Sequence, residues 1–285
     1  MDGGSGLGAD GARAGRENWL RPGLATALAA VLPAPAAGGE QSLSVDELAP
    51  LDHFHGGGIG ASRALARALA PAPGSRVLDA GGGLGGPARV LAAEHGCLVT
   101  VADVTEDYVR AGAYLTARAG LAGRVRHVRA DALSLPFAAG RFDAVWTQNS
   151  GMNIADKAAL YAGFFRVLRP GGRLAIQEPA AGRVQPPHFP LMWAAGPEAS
   201  FLLSPEELRA RILAAGFREV LWDATPTPAA PAPPRGTAPG ATTGAPGATV
   251  QRLVMGDRLD AIQAAATRND AEGRLTRVQA LFERP

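Results

Sequence analysis

The chain has 285 residues, 47% of them hydrophobic, and a formal net charge of +2. That length buries a full core as one large domain or two small ones, and so small a charge gives no argument for a nucleic-acid partner. The single cysteine, Cys97, excludes an intramolecular disulfide and a cysteine zinc cluster, and no apolar run reaches the ~20 residues that span a bilayer.

Residues 1–16 are rich in Gly, Ala, Ser and charge and read as a disordered tail, which we extend to residue 19. Residues 20–32 predict a short helix rather than a signal peptide, so the expected compartment is the cytoplasm. A loop follows over 33–40. Ser44 caps a further helix with Asp46 and Glu47 in its first turn, and another helix runs over 61–69 until Pro71 and Pro73 stop it. These segments form a helical cap over residues 20–70.

Strands and helices then alternate. Strands are predicted at 76–79, 98–103, 125–130, 143–148 and 173–177, with helices at 87–95, 106–119 and 156–168 between them. Pro170-Gly171-Gly172 turns the last of these helices into the fifth strand. Such βαβ repetition predicts a parallel sheet with helices on both faces. A helix over 205–215, capped by Ser204 and stopped by Gly216, precedes a sixth strand at 219–222. Residues 224–249, dominated by Pro, Ala, Gly and Thr, read as a disordered insertion. A helix at 257–268 and a last strand at 275–282 close the chain, so residues 71–285 read as one domain.

The segment VLDAGGGLGG, residues 77–86, is the most informative. It is a strand, then a turn in which a ligand can approach the backbone, then a helix whose amide end faces that ligand. The glycine spacing alone also satisfies a dinucleotide fingerprint. Asp79 argues against one, because a carboxylate there repels a pyrophosphate but accepts from the ammonium of a methionine moiety. Asp103 ends the second strand, where it can accept both ribose hydroxyls. Asp131-Ala132 ends the third, where a carboxylate can accept from an adenine amino group. Three carboxylates at consecutive strand ends face the crevice in which open α/β sheets bind ligands, and they point to S-adenosylmethionine.

With the glycine turn, Asp103, Asp131-Ala132 and the segment LRPGGRLAI at 168–176, the stretch from about 43 to 179 resembles a class I S-adenosylmethionine-dependent methyltransferase. More narrowly, DHFHGGGIGAS at 52–62 followed by VLDAGGGLGGPAR resembles the small-molecule sarcosine/dimethylglycine N-methyltransferases. The ubiquinone/menaquinone-type C-methyltransferases and phosphoethanolamine N-methyltransferases lie further off. The resemblance implies a Rossmann-like, doubly wound α/β sheet of about seven strands, mostly parallel with an antiparallel last strand. It also implies roles. Asp79, Gly81, Gly83 and Gly85 contact or shape the methionine end, Asp103 holds the ribose and Val104 packs on adenine. Asp131 and Ala132 read the adenine edge, and Gln148 and Asn149 lie beside the sulfonium.

Methyl transfer from a sulfonium is an in-line displacement that needs positioning and a dry pocket rather than a protein nucleophile. A base matters only for a protonated acceptor. The candidates on the acceptor side are His55 and Phe54 in a loop over the cofactor, Met152 after the fourth strand, and Glu178 at the end of the fifth. His55 either orients substrate, accepts a proton or shields the sulfonium. Glu178 either serves the acceptor or sits in a surface turn. Residues 184–202, with His188 and Trp193, read as a substrate lid or as a loop packed on the N-terminal helices. His53 and His55 lack a third ligand at zinc spacing, so no metal is expected. The function expected is methylation of a small-molecule acceptor at N, O or C. The alternative is a protein of this fold that binds the cofactor without methylating, such as a cyclase or a regulatory module.

Overall fold

The computed structural model describes residues 18–33, 42–226 and 249–285. The expected tail, the loop at 33–40 and the insertion fall largely outside these residues.

Seven strands form one sheet: β1 (Arg76–Ala80), β2 (Leu98–Asp103), β3 (Val125–Arg129), β4 (Phe142–Gln148), β5 (Leu168–Ala181), β6 (Arg218–Pro226) and β7 (Leu275–Glu283). Their order is β3-β2-β1-β4-β5-β7-β6. The pairs among β1 to β5 are parallel, and β7 runs antiparallel between β5 and β6. This is the expected Rossmann-like architecture.

Three cap helices come first: α1 (Leu24–Val31), α2 (Val45–Asp52) and α3 (Gly58–Leu69). Within the sheet region follow α4 (Gly86–His95), α5 (Glu106–Arg118), α6 (Lys157–Val167) and α7 (Pro205–Ala214), then α8 (Val250–Met255) and α9 (Leu259–Ala271). Local chemistry starts several of them. Ser44 and Ser204 each form a reciprocal capping box, with Glu47 and Glu207, and the Asp156 carboxylate accepts from the Ala159 amide at 2.9 Å. Each such cap contributes about 1 kcal/mol.

Hydrophobic side chains form four clusters among the described residues, the smallest around Met152, Leu191 and Trp193. On one face of the sheet Leu65, Leu91 and Trp146 pack against Val77 and Ala175. On the other, Phe164, Val167 and Ile212 pack against Leu174, Ile176 and Phe282. A third cluster joins Leu24, Leu28, Leu48 and Leu115 to Val250, Val254 and Leu259. The cap is therefore built from both ends of the chain, whereas the sequence placed it at the N-terminal end alone. Cys97 is buried, as expected of a core thiol.

Other differences have local causes. Helix α6 ends at Val167, and β5 begins at Leu168 rather than 173, because Leu168 already pairs with Phe142. Strand β6 continues to Pro226 by pairing with β7, so the first residues assigned to the insertion are sheet. Helix α8 was not anticipated. Thr249 starts it by accepting from the Arg252 amide, and its apolar side chains bury in the cap.

Candidate active site

The strand order reverses between β1 and β4, and at such a switch point a crevice opens at the C-terminal ends of the strands. A cavity of about 700 Å³ lies there. Asp79 on β1, Asp103 at the tip of β2 and Asp131 just beyond β3 all line it. The strands are neighbours, spaced about 4.8 Å apart, so the three carboxylates form a row.

Asp79 is buried and its Oδ2 has no hydrogen-bond partner. Burial, reinforced by the charge of Asp103, pushes its carboxyl up to about 7. The turn above it has no room for side chains at Gly81 and Gly82. A Cβ on Gly82 would stand 2.6 Å from the Asp79 carboxyl carbon, and one on Gly81, at φ +70, would stand 2.0 Å from Ser150 Oγ. Asp103 accepts from the Gly83 amide at 2.9 Å and the Thr105 amide at 2.8 Å. Burial raises its carboxyl and these two amides pull it down. Asp131 accepts from the Leu133 amide at 2.9 Å. Val104 and Ala132 line the cavity beside these carboxylates. Gly85 does not. It caps α4 and closes against His127, which a Cβ would approach to 2.6 Å.

Behind the turn, Arg89 is fully buried and bonds the Asp52 carboxylate at 2.8 Å, Thr116 Oγ1 at 2.9 Å and the Leu84 carbonyl at 2.7 Å. Asp52 also holds His53 Nδ1. His53 Nδ1 is thereby committed to the scaffold, and the His53 ring stands edge-to-face with that of His55 at 5.5 Å.

On the opposite side of the crevice, Gln148 and Asn149 end β4 and line the cavity. Asn149 adopts φ +55, a left-handed conformation unusual for a residue other than glycine. Gln148 Nε2, Asn149 Oδ1 and Gln177 Oε1 are buried without partners. Each such atom costs ~1–3 kcal/mol unless something meets it, which marks this rim as a binding surface. His55 lines the cavity with Nε2 3.1 Å from Ser62 Oγ, and Ser62 donates to Gln148 Oε1 at 3.1 Å. Burial, with His53 and Arg277 nearby, pushes His55 down to about 4. It is neutral near pH 7 and a weak proton acceptor.

Phe54, Met152 and Trp193 also line the cavity. Phe54 meets Trp19 edge-to-face at 5.4 Å, and Trp193 Nε1 donates to Ser200 Oγ at 3.0 Å. Two residues expected on the acceptor side lie elsewhere. Glu178 does not face the crevice. It points to the α6 side, accepting from the Ser150 and Gly151 amides at 3.2 and 2.8 Å. Lys157 donates to the Gly151 carbonyl at 2.8 Å. Together they pin the loop after β4 from behind. Side chains alternate along a strand, so when Gln177 faces the cavity Glu178 cannot. His188 is drawn to α9, where it bonds Glu272 at 2.8 Å and Asn269, outside the cavity.

The sequence reading missed Trp19, Tyr108, Gln177, Asp270 and Arg277, all of which line the cavity. Gln177 was legible, since it is the register partner of Gln148. Tyr108 follows Asp103 by five residues on α5, while Trp19, Asp270 and Arg277 arrive from distant segments and carry no local signal.

Comparison with known proteins agrees with this geometry. Residues 77–172 match a family model described as a methyltransferase domain. The ubiquinone/menaquinone biosynthesis C-methyltransferase UbiE of Ectopseudomonas mendocina (strain ymp) is 38% identical over 108 residues, 37% of this chain and 42% of that protein. The chain spans less than half the length of the curated relatives it matches. Among solved structures, geranyl diphosphate C-methyltransferase from Streptomyces coelicolor A3(2), with S-adenosyl-L-homocysteine bound, superposes with a TM-score of 0.65 at 19% identity over 99% of each chain. The 4+2 cyclase SpnF superposes with a TM-score of 0.58 at 21% identity, over 79% of this chain and 80% of its own. Residues 77–172 match the methyltransferase-domain model, and the sheet that contains them shares the fold of these solved structures.

Proposed function

We propose that this protein transfers a methyl group from S-adenosylmethionine to a small-molecule acceptor at N, O or C. The observation that carries this reading is the buried, unpartnered Asp79 carboxylate beneath the glycine turn, in line with Asp103 and Asp131. A buried carboxyl with a free oxygen suits a cationic donor, and the ammonium of the cofactor is one. Asp103 retains lone pairs for ribose hydroxyls, Asp131 stands at the rim for the adenine edge, and Val104 and Ala132 supply apolar contact. A pyrophosphate would meet three acidic groups instead.

When bound, the cofactor supplies an electrophilic methyl on a sulfonium. The protein's part is alignment and the exclusion of water. Gln148 and Asn149 present unpartnered polar atoms at the β4 tip to fix the reacting groups. Phe54, Met152 and Trp193 wall off the acceptor side. His55, held by Ser62 and kept neutral by burial, orients the acceptor rather than taking its proton. Glu178 and Lys157 act on the β4 loop as positioning residues. The two methyltransferases named above are called after small molecules, which supports an acceptor of that size.

Titration calorimetry with S-adenosylmethionine, S-adenosylhomocysteine and NAD tests the cofactor half, with tight binding of the first two and none of NAD expected. NAD binding more tightly overturns it. Incubation with labelled S-adenosylmethionine and small-molecule extract tests transfer. Label entering a new compound, with S-adenosylhomocysteine released, supports the proposal. Binding without release favours a non-methylating protein of the same fold.

A further inference from the structure

The cavity carries a charge that the cofactor does not need. Six aspartates line it, and they suit a cofactor that is itself cationic. One lining residue, Arg277, has the opposite sign. Arginine stays charged at any working pH, so its charge stands in a cavity that also has to admit a sulfonium and an ammonium. Among the described residues its guanidinium makes no ion pair and no hydrogen bond, although most other arginines in contact with the core are engaged. Its Nη2 lies where a Cβ on Gly56 would meet it at 3.6 Å, next to His55. The carboxylate that faces it, Asp270, is outside ion-pair distance; burial raises that carboxyl's pKa and the charge of Arg277 pulls it down. Arg277 therefore has a carboxylate in its neighbourhood but no direct partner among the described residues.

The sheet register says where this charge sits. Arg277 pairs with Pro179, two residues beyond Gln177, and Gln177 pairs with Gln148. Strand β7 is three strands from β1, about 14 Å at the usual strand spacing. Arg277 is therefore at the far end of the cavity from Asp79, with His55, Gln148 and Gln177 between them. The walls there are apolar, where Leu275 of β7 packs with Met152, Met192 and Trp193. The guanidinium fork matches a carboxylate or a phosphate by paired hydrogen bonds.

The geometry points to an acceptor with a mainly apolar body and one anionic oxygen group, a carboxylate or a phosphate, that Arg277 binds at the β7 end of the cavity. This inference rests on the methyl-transfer reading, which requires that an acceptor enter here. The anionic group neutralises Arg277, offsets its repulsion of the cofactor and leaves the other end of the acceptor near Gln148 and His55. An acceptor bound this way is admitted best after the cofactor is in place, since each relieves a charge left by the other.

The test uses the full chain saturated with S-adenosylhomocysteine and calorimetric titration with three acids and their neutral counterparts. These are 4-hydroxybenzoate against 4-hydroxybenzamide, octanoate against octanamide, and phenyl phosphate against phenol. At least one acid should bind tenfold or more tightly than its neutral counterpart, and the carboxylate and phosphate arms show which group is preferred. Arg277→Met should abolish that preference while S-adenosylhomocysteine affinity stays within twofold. Arg277→Lys should restore part of it, which lost packing would not explain. Acids and neutral compounds behaving alike, whether both bind or neither does, overturns the inference. So does a preference that survives in Arg277→Met. The wild-type comparison stands even if the variants fold poorly. If S-adenosylhomocysteine binds and no acid is preferred, only this inference fails. If S-adenosylhomocysteine does not bind, the methyl-transfer reading fails and takes this inference with it.

Discussion

The two sides of the crevice hold most of their polar groups by different means. Along β2 and β3 the carboxylates are organised by the protein itself, while Asp79 on β1 keeps one buried oxygen without a partner. Backbone amides fix Asp103 and Asp131, and the buried Arg89–Asp52 pair braces the helix that follows the glycine turn. Along β4, β5 and β7 the groups are left open. Gln148, Asn149 and Gln177 each carry a buried atom without a partner, and Arg277 has no counter-ion among the described residues. A preorganised side suits a ligand that never changes, because less binding free energy goes into ordering the site. An open side, costly when empty, gains its satisfaction from a ligand that brings the missing groups. On the proposed function, the first side receives the cofactor and the second is open to the acceptor.

The largest expected effect tests the brace. Arg89→Met leaves Asp52 buried without its partner and should cost about 3–5 kcal/mol of stability in chemical denaturation. A change within error would mean that the pair carries no structural weight. Next, Asp103→Ala should weaken S-adenosylhomocysteine binding by roughly 1–3 kcal/mol in calorimetry. The two-sided description predicts no change in acid binding at the β7 end beyond what cofactor occupancy explains. Unaltered cofactor affinity would remove Asp103 from the site.

The dependence on pH sharpens the same division. Asp79 is raised in the fold to about 7, above the ordinary carboxylate range, so the unfolded chain loses this proton first. Stability without ligand should therefore fall as pH rises from about 4 to about 7, and then level off. A bound ammonium favours the ionised form, so stabilisation by S-adenosylhomocysteine should grow across that window. Thermal melts at a series of pH values, with and without ligand, read both trends. Asp79→Asn should flatten them, apart from a residual contribution from Asp103, and undiminished slopes in that variant would assign the effect to another group. The smallest effect is a control. Ser204→Ala removes a helix cap on α7 and should cost ~1 kcal/mol of stability. Cofactor and acid affinities should remain at their wild-type values, since α7 packs away from the cavity.

Much of the cofactor side was legible because its signals are local. A run of aliphatic residues that ends in Asp79 and meets consecutive glycines specifies strand, turn and helix within ten positions. Ser44 and Ser204 start helices through their own side chains, and both were read as caps. The acceptor side was read less well. Glu178 was placed in the crevice because it ends a predicted strand and carries a charge. Its facing depends on the alternation of β5, which the pairing of Gln177 with Gln148 settles. His188 looked like a lid residue, yet it bonds α9, about eighty positions away in the chain. Trp19 fell in a segment read as tail and instead meets Phe54 edge-to-face.

The sequence alone determined the alternation of strands and helices, the glycine turn and the row of carboxylates, because each depends on neighbours a few residues apart. Only the tertiary structure decided that β7 inserts between β5 and β6, and with it that Arg277 and Asp270 reach the cavity. It also decided that α8 and α9 join the N-terminal helices in the cap. Pairing between remote strands depends on the summed burial of both faces and on sheet register. Neither quantity is written in any short stretch of residues.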